Sequence, residues 1–162
     1  LELNGKRLDQ KDVSFDNLTA SFDINYHPGT LKAIAVDNGK DVDSVVLQTP
    51  GKAAKIRLTA DRKQIKNSRN DLAYVTVEIV DANGRLVPDA PVPLQFSIEG
   101  NGEIAATASA SPNDMQSFQK REHRTFRGKC LVIVRPKDKG GKIIVKAKGE
   151  GLSEGQVIIE AK

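Results

Sequence analysis

Apolar and polar residues alternate in short runs along the whole chain, and no stretch keeps the helical period for more than ten residues. Leu1-Glu2-Leu3 alternates and meets Asn4-Gly5, the dipeptide best suited to a type I′ hairpin. Ala20, Phe22, Ile24 and Tyr26 share one face of a strand predicted over 20–26, after which His27-Pro28-Gly29 turns the chain into a strand over 31–36. Asp37-Asn38-Gly39-Lys40 predicts a second hairpin turn, followed by a strand over 42–47. Pro50-Gly51 has the composition of a hinge. Beyond it, strands are predicted around Ile56 and Leu58, around Val75, Val77 and Ile79, and around Leu94, Phe96 and Ile98. Further strands follow over 103–105, 130–134, 143–147 and 157–159, separated by Asn83-Gly84, Gly100-Asn101-Gly102 and Gly140-Gly141. The pattern predicts an all-β chain: an immunoglobulin-like β-sandwich over 50–162, preceded by a truncated β-sandwich segment over 1–49. That first segment has too few strands to cover its own apolar faces at Phe22, Ile24, Leu31 and Ile34. Another copy or the second domain is expected to cover them.

One stretch departs from the pattern. Ser111-Pro112-Asn113-Asp114 reads as a turn, and an irregular loop over 109–124 feeds the strongest apolar run, Cys130-Leu131-Val132-Ile133-Val134, which Pro136 ends. Within the loop, Met115 and Phe118 are large apolar residues amid the polar Gln116, Gln119, Lys120 and Arg121. These six residues are the candidate contact surface. The competing expectation is a plain connection pinned inward by Phe118 and Phe126.

Composition narrows the function classes. No apolar run approaches the roughly 20 residues that span a bilayer, which argues against membrane insertion. The net charge of +4 and the pI near 9.2 are spread over alternating positions, without the basic stripe and stacking aromatics that nucleic-acid binding uses. Lys120-Arg121 with His123-Arg124 is the one basic cluster, expected as a solvated loop face. The single cysteine, Cys130, falls in an apolar run and is expected to act as a small hydrophobe. The chain opens at Leu1 inside a strand, so it is expected to be a fragment, and the lack of a leader says nothing.

Two sets of residues carry a resemblance. LELNGKRL, NYHPGTLKAIAVDNGK and VVLQTPG resemble the β-sandwich domain that follows the catalytic barrel in bacterial family 2 glycoside hydrolases, the β-galactosidase family. IRLTADRKQIKNSRNDLAYVTVEIVDANGRLVPDA, GNGEIAA, SPNDMQSFQ and TFRGKCLVIVRP resemble the C-terminal immunoglobulin-like domain of the same enzymes, itself akin to invasin-type repeats. The resemblance implies a non-catalytic C-terminal accessory region of a retaining β-galactosidase-like enzyme in the periplasm or secreted. Its implied partners are the catalytic barrel and other domains of the parent chain, the parent's carbohydrate substrate and a homo-oligomer. An invasin-like repeat of a cell-surface adhesin is the alternative, and it leaves the pattern of 1–49 unexplained. The loop charges at 121–124 depart from what the resemblance leads one to expect.

No residues for the chemistry itself are expected here. Retaining hydrolysis needs two carboxyl groups roughly 5 to 5.5 Å apart, which the family places on barrel strands. Glu78 and Glu99 fall on polar strand faces and are expected on a solvated surface. His27 and His123 lack clustered partners, so no metal is expected, and neither a nucleophile elbow nor a phosphate loop points to a cofactor. Asp81-Ala82-Asn83-Gly84 lacks the later acids of a calcium loop. With no Trp, two Tyr and five Phe, most expected to face inward and Tyr74 the best exposed, the chain does not read as an independent sugar-binding module.

Overall fold

The computed structural model describes residues 1–137 and 139–162 and divides the chain into two compact units, Leu1–Thr49 and Pro50–Lys162. In the first unit, β1 (Glu2–Leu3), β2 (Lys6–Arg7), β3 (Thr30–Asp37) and β4 (Lys40–Gln48) form one antiparallel sheet in the order β2-β1-β3-β4. Both Asn-Gly turns take the type I′ form, with positive φ at Asn4 and Gly5 and at Asn38 and Gly39. Asn4 also ties the sheet to the 28–30 turn: its amide oxygen accepts the Thr30 N–H at 2.8 Å and its amide nitrogen donates to the Pro28 carbonyl at 3.2 Å. A Cβ at Gly29 would sit 1.9 Å from the Asn4 amide oxygen, and φ there is +133°. Glycine is therefore required.

Residues 20–26 do not form the predicted strand. No residue of 1–49 is buried, so nothing rewards the alternation of Ala20, Phe22, Ile24 and Tyr26, and Tyr26 stays largely exposed. β3 and β4 persist without a buried face because a type I′ turn joins them and they pair along their length, whereas 20–26 has no ladder partner.

The second unit is an immunoglobulin-like sandwich. One sheet runs β5 (Lys55–Ala60), β7 (Ala73–Val80), β11 (Lys129–Pro136), β9 (Gly102–Ser109). The other runs β10 (Glu122–Arg124), β8 (Pro93–Gly100), β12 (Gly141–Lys148), β13 (Gly155–Ala161), β6 (Gln64–Ile65). Every pairing is antiparallel except β13 with β6. The seven longer strands are those the alternation predicts; β6 and β10 are additional. Val75, Val77 and Ile79 of β7 and Val132 and Val134 of β11 meet Leu94, Ile143, Val145 and Ile159 from the facing sheet, all fully buried.

Two local features shape this unit. Asp81 accepts backbone N–H bonds from Gly51, Asn83 and Arg85 at 2.8 to 2.9 Å, which closes the turn after β7 and fixes the chain at Gly51. The Gly51 N–H first, then that of Arg85, hold its carboxyl below the usual range although the side chain is buried. The register between β9 and β11 shifts at Ile133/Val134, where Ala105 is the extra residue. The bulge turns Thr107, rather than Ala106, inward to full burial.

Gly155 faces the start of β5, and a Cβ there would lie 2.3 Å from the Ile56 carbonyl oxygen. Gly155→Ala is expected to destabilise the second unit by about 1–3 kcal/mol through overpacking, read as a lower urea midpoint with an unchanged slope.

Candidate functional site

The irregular part of the loop spans 110–121, because Glu122–Arg124 forms β10 and pairs with β8 rather than continuing the loop. Thr107, aimed inward by the bulge, donates its N–H to the Phe118 carbonyl at 2.8 Å and its hydroxyl to the Lys120 carbonyl. The Gln119 amide donates to the Ala105 carbonyl at 3.2 Å, and the Phe96 N–H donates to the Arg121 carbonyl at 2.8 Å. Asp114 Oδ1 accepts the Gln116 N–H at 3.0 Å, while Oδ2 lies 3.1 Å from Nδ1 of His123. Thr125 continues the fastening by accepting the Val92 N–H and donating to the Ala90 carbonyl. Backbone groups in a segment without a ladder need partners, and here they come from backbone N–H groups of β8 and β9, the Thr107 hydroxyl and the loop's own Asp114.

Fastened in this way, the loop presents its large residues outward. Met115 is 93% exposed and Phe118 61%. Phe118 therefore does not pin the loop from inside, and Phe126 is half-buried. Gln116, Lys120 and Arg121 line a cleft of about 390 Å³ together with Gln95, Phe96 and Glu122. The six candidate residues thus divide: Met115 and Phe118 project, Gln119 is spent on the Ala105 carbonyl, and Gln116, Lys120 and Arg121 flank the cleft.

Three further expectations need correction. His123 is not part of a solvated basic face; it points inward from β10, opposite Leu94, and is 1% exposed. Of the five phenylalanines, all within the described residues, Phe96 alone is buried, and Phe15 is fully exposed. Glu78 is half-buried and clamped by Arg57 at 2.8 Å and Lys129 at 3.2 Å. Burial raises its carboxyl, but the bonds from those two cations outweigh burial and leave it below the ordinary value. Glu99 is exposed and pairs with Lys146. Thr107 and the Asp114–His123 pair escape a reading by sequence because each is a lone polar residue; the charged neighbours Glu122 and Arg124 around His123 are the alternation that signals an inward position.

Cys130 behaves as expected. It is buried, and burial, then the charge of Asp114, pushes its thiol up to about 12. Among the described residues no group of three His, Cys, Asp or Glu side chains gathers as a metal site.

A model of the glycoside hydrolase family 2 C-terminal domain 5 matches residues 56–158. The chain belongs to this family. A domain of unknown function, DUF4982, matches residues 1–43 of this family 2 chain. It is 39% identical over its full length to the β-galactosidase BoGH2A of Bacteroides ovatus, of which it covers 19%. It is 26% identical over 152 residues to a putative β-glucuronidase of Formosa agariphila, covering 15% of that protein. A crystal structure of a family 2 member from Bacteroides cellulosilyticus superposes with a TM-score of 0.92 at 36% identity, covering 99% of this chain and 21% of that one. The family 2 chain thus spans about a fifth or less of these relatives. Its NGK and Y-x-P-G patterns acquire a cause in the Asn4–Gly29 contact.

The Gln116 N–H first, then His123, hold the Asp114 carboxyl below its ordinary value. A depressed carboxyl contributes stability that is complete above its unfolded value near 3.8 and is lost as pH falls through the lower folded value. Hydrogen-exchange protection of the Gln116 amide is therefore expected to hold from pH 7 down to about pH 4. Asp114→Ala is expected to abolish that protection throughout, whereas Asp114→Asn, which retains an acceptor, keeps part of it.

Proposed function

We propose that this chain is the non-catalytic C-terminal accessory region of a larger retaining glycosidase that hydrolyses terminal β-galactosides in the periplasm or outside the cell. The 110–121 loop is its contact element, docking on the catalytic barrel or on a second subunit. The observation that carries this reading is the contrast within the loop: a backbone fastened by Thr107, Asp114 and Gln119, and two large apolar side chains left outside. Exposed apolar anchors on a preorganised backbone lose little entropy on docking. The family match supports the parent's class, and the name of the Bacteroides ovatus relative supports β-galactosides. The buried and half-buried acids support a non-catalytic role, since Asp81, Asp114 and Glu78 are all spent on structural bonds.

The parent enzyme is expected to hydrolyse p-nitrophenyl β-galactoside, and the 162-residue chain alone to show no turnover above blank. Turnover by the chain alone would overturn the non-catalytic role. In the parent, Met115→Ala with Phe118→Ala is expected to raise KM severalfold or to lower the oligomer mass, measured by steady-state kinetics and light scattering. The same pair in the isolated chain is expected to leave the melting temperature nearly unchanged, because neither side chain is buried there. Unaltered kinetics and mass would reduce the loop to a connector.

A further inference from the structure

Arginine use in the second unit is uniform except at one position. Arg57, Arg62, Arg69, Arg85 and Arg135 each face a carboxylate, Arg124 donates to the Pro91 carbonyl, and Arg127 lies over the Phe126 ring. Among the described residues of this unit, Arg121 is the one arginine whose guanidinium has no partner. Its backbone is nonetheless fixed, since its carbonyl accepts the Phe96 N–H at 2.8 Å. Arg121 is one of the residues lining the open 390 Å³ cleft. Lys120 lies beside it, and Gln95, Gln116 and Glu122 complete the polar wall. Glu122 accepts from the Gln95 amide at 3.4 Å, so of the three charged residues lining the cleft two are cations and one an anion, a net positive charge.

We propose that this cleft is a subsite for an acidic sugar residue, with Arg121 and Lys120 binding its carboxylate and Gln95, Gln116 and Glu122 its hydroxyls. A planar guanidinium matches a carboxylate through two parallel N–H bonds, and an ammonium adds a second charge. The cleft's lining residues supply both donors and acceptors, as a polyhydroxylated ligand requires. Its one apolar residue, Phe96, is 3% exposed, while the apolar anchors Met115 and Phe118 lie outside it. A protein partner would use those anchors; the cleft suits a small polar anion. Recognition through charge also needs no aromatic platform, and the one aromatic residue lining the cleft, Phe96, is buried. The inference rests on the reading of the chain as part of a glycosidase.

The test is a titration of the isotopically labelled 162-residue chain, followed by NMR, with sodium glucuronate, glucose, acetate and triglutamate. Glucuronate is expected to shift the amides of Gln95 and of 116–122 saturably, at least tenfold more tightly than acetate or triglutamate, and glucose to shift none of them. Arg121→Ala is expected to weaken the glucuronate response at least tenfold and Arg121→Lys less, with melting temperatures showing that both variants fold. Equal responses to acetate and glucuronate would mean an adventitious anion only. Equal responses to triglutamate would make the cleft a protein-facing surface, and an unaffected Arg121→Ala would remove the arginine from it; each result overturns the proposal. Hydrolysis of the neutral aryl galactoside by the parent is a separate measurement, so a parent that hydrolyses it beside a chain that fails to discriminate sinks this inference alone.

Discussion

Strict alternation along β9 would put Ala106 on the inward face with Gly102 and Ile104, whereas Thr107 is the residue that is buried. The extra residue at Ala105, opposite the step from Ile133 to Val134, resolves the conflict by reversing the strand's parity half-way along. Ile104 leans toward the core before the bulge and Thr107 after it, so a hydroxyl rather than a methyl group arrives beneath the loop. From that one position Thr107 bonds two loop carbonyls, and a segment with no ladder of its own acquires a fixed path. Remove the bulge and the sandwich could still close, but the loop would lose its central support.

Polar groups in this unit fall into two kinds. Those at strand ends and turns are paired and serve the fold: Asp81 collects three backbone N–H groups, Glu78 two cations, and Asp114 a backbone amide and an imidazole. Such pairs leave their carboxyls below the ordinary range, the opposite of what a general acid requires. The second kind reaches solvent without a bonded side-chain partner among the described residues, and Lys120 and Arg121 are its members on the loop.

The longer strands of 50–162 were legible because each has one face in a core; Val75, Val77 and Ile79 could hardly alternate otherwise. The Asn-Gly hairpins were legible because few residues tolerate positive φ at two successive positions. Residues 20–26 alternate equally well and are not a strand, since alternation records a face and not the partner that must cover it. The loop's location was legible from its composition, and its construction was not. By size Phe118 could anchor outward or pin inward, whereas the fastening is polar and comes from Thr107 and the Asp114–His123 pair, whose contacts lie 9 to 13 residues apart in sequence. Hydrogen-bond partners at that separation leave no periodic trace.

The single thiol has a consequence for where such a chain can work. Cys130 lies in β11, the strand held between β7 and β9, and deprotonates only near the alkaline limit. Disulfide exchange proceeds through the thiolate and needs an open line of attack, and this sulfur offers neither. Within this chain the thiol has no second cysteine to pair with, so thiol–disulfide exchange leaves the fold of this chain unchanged.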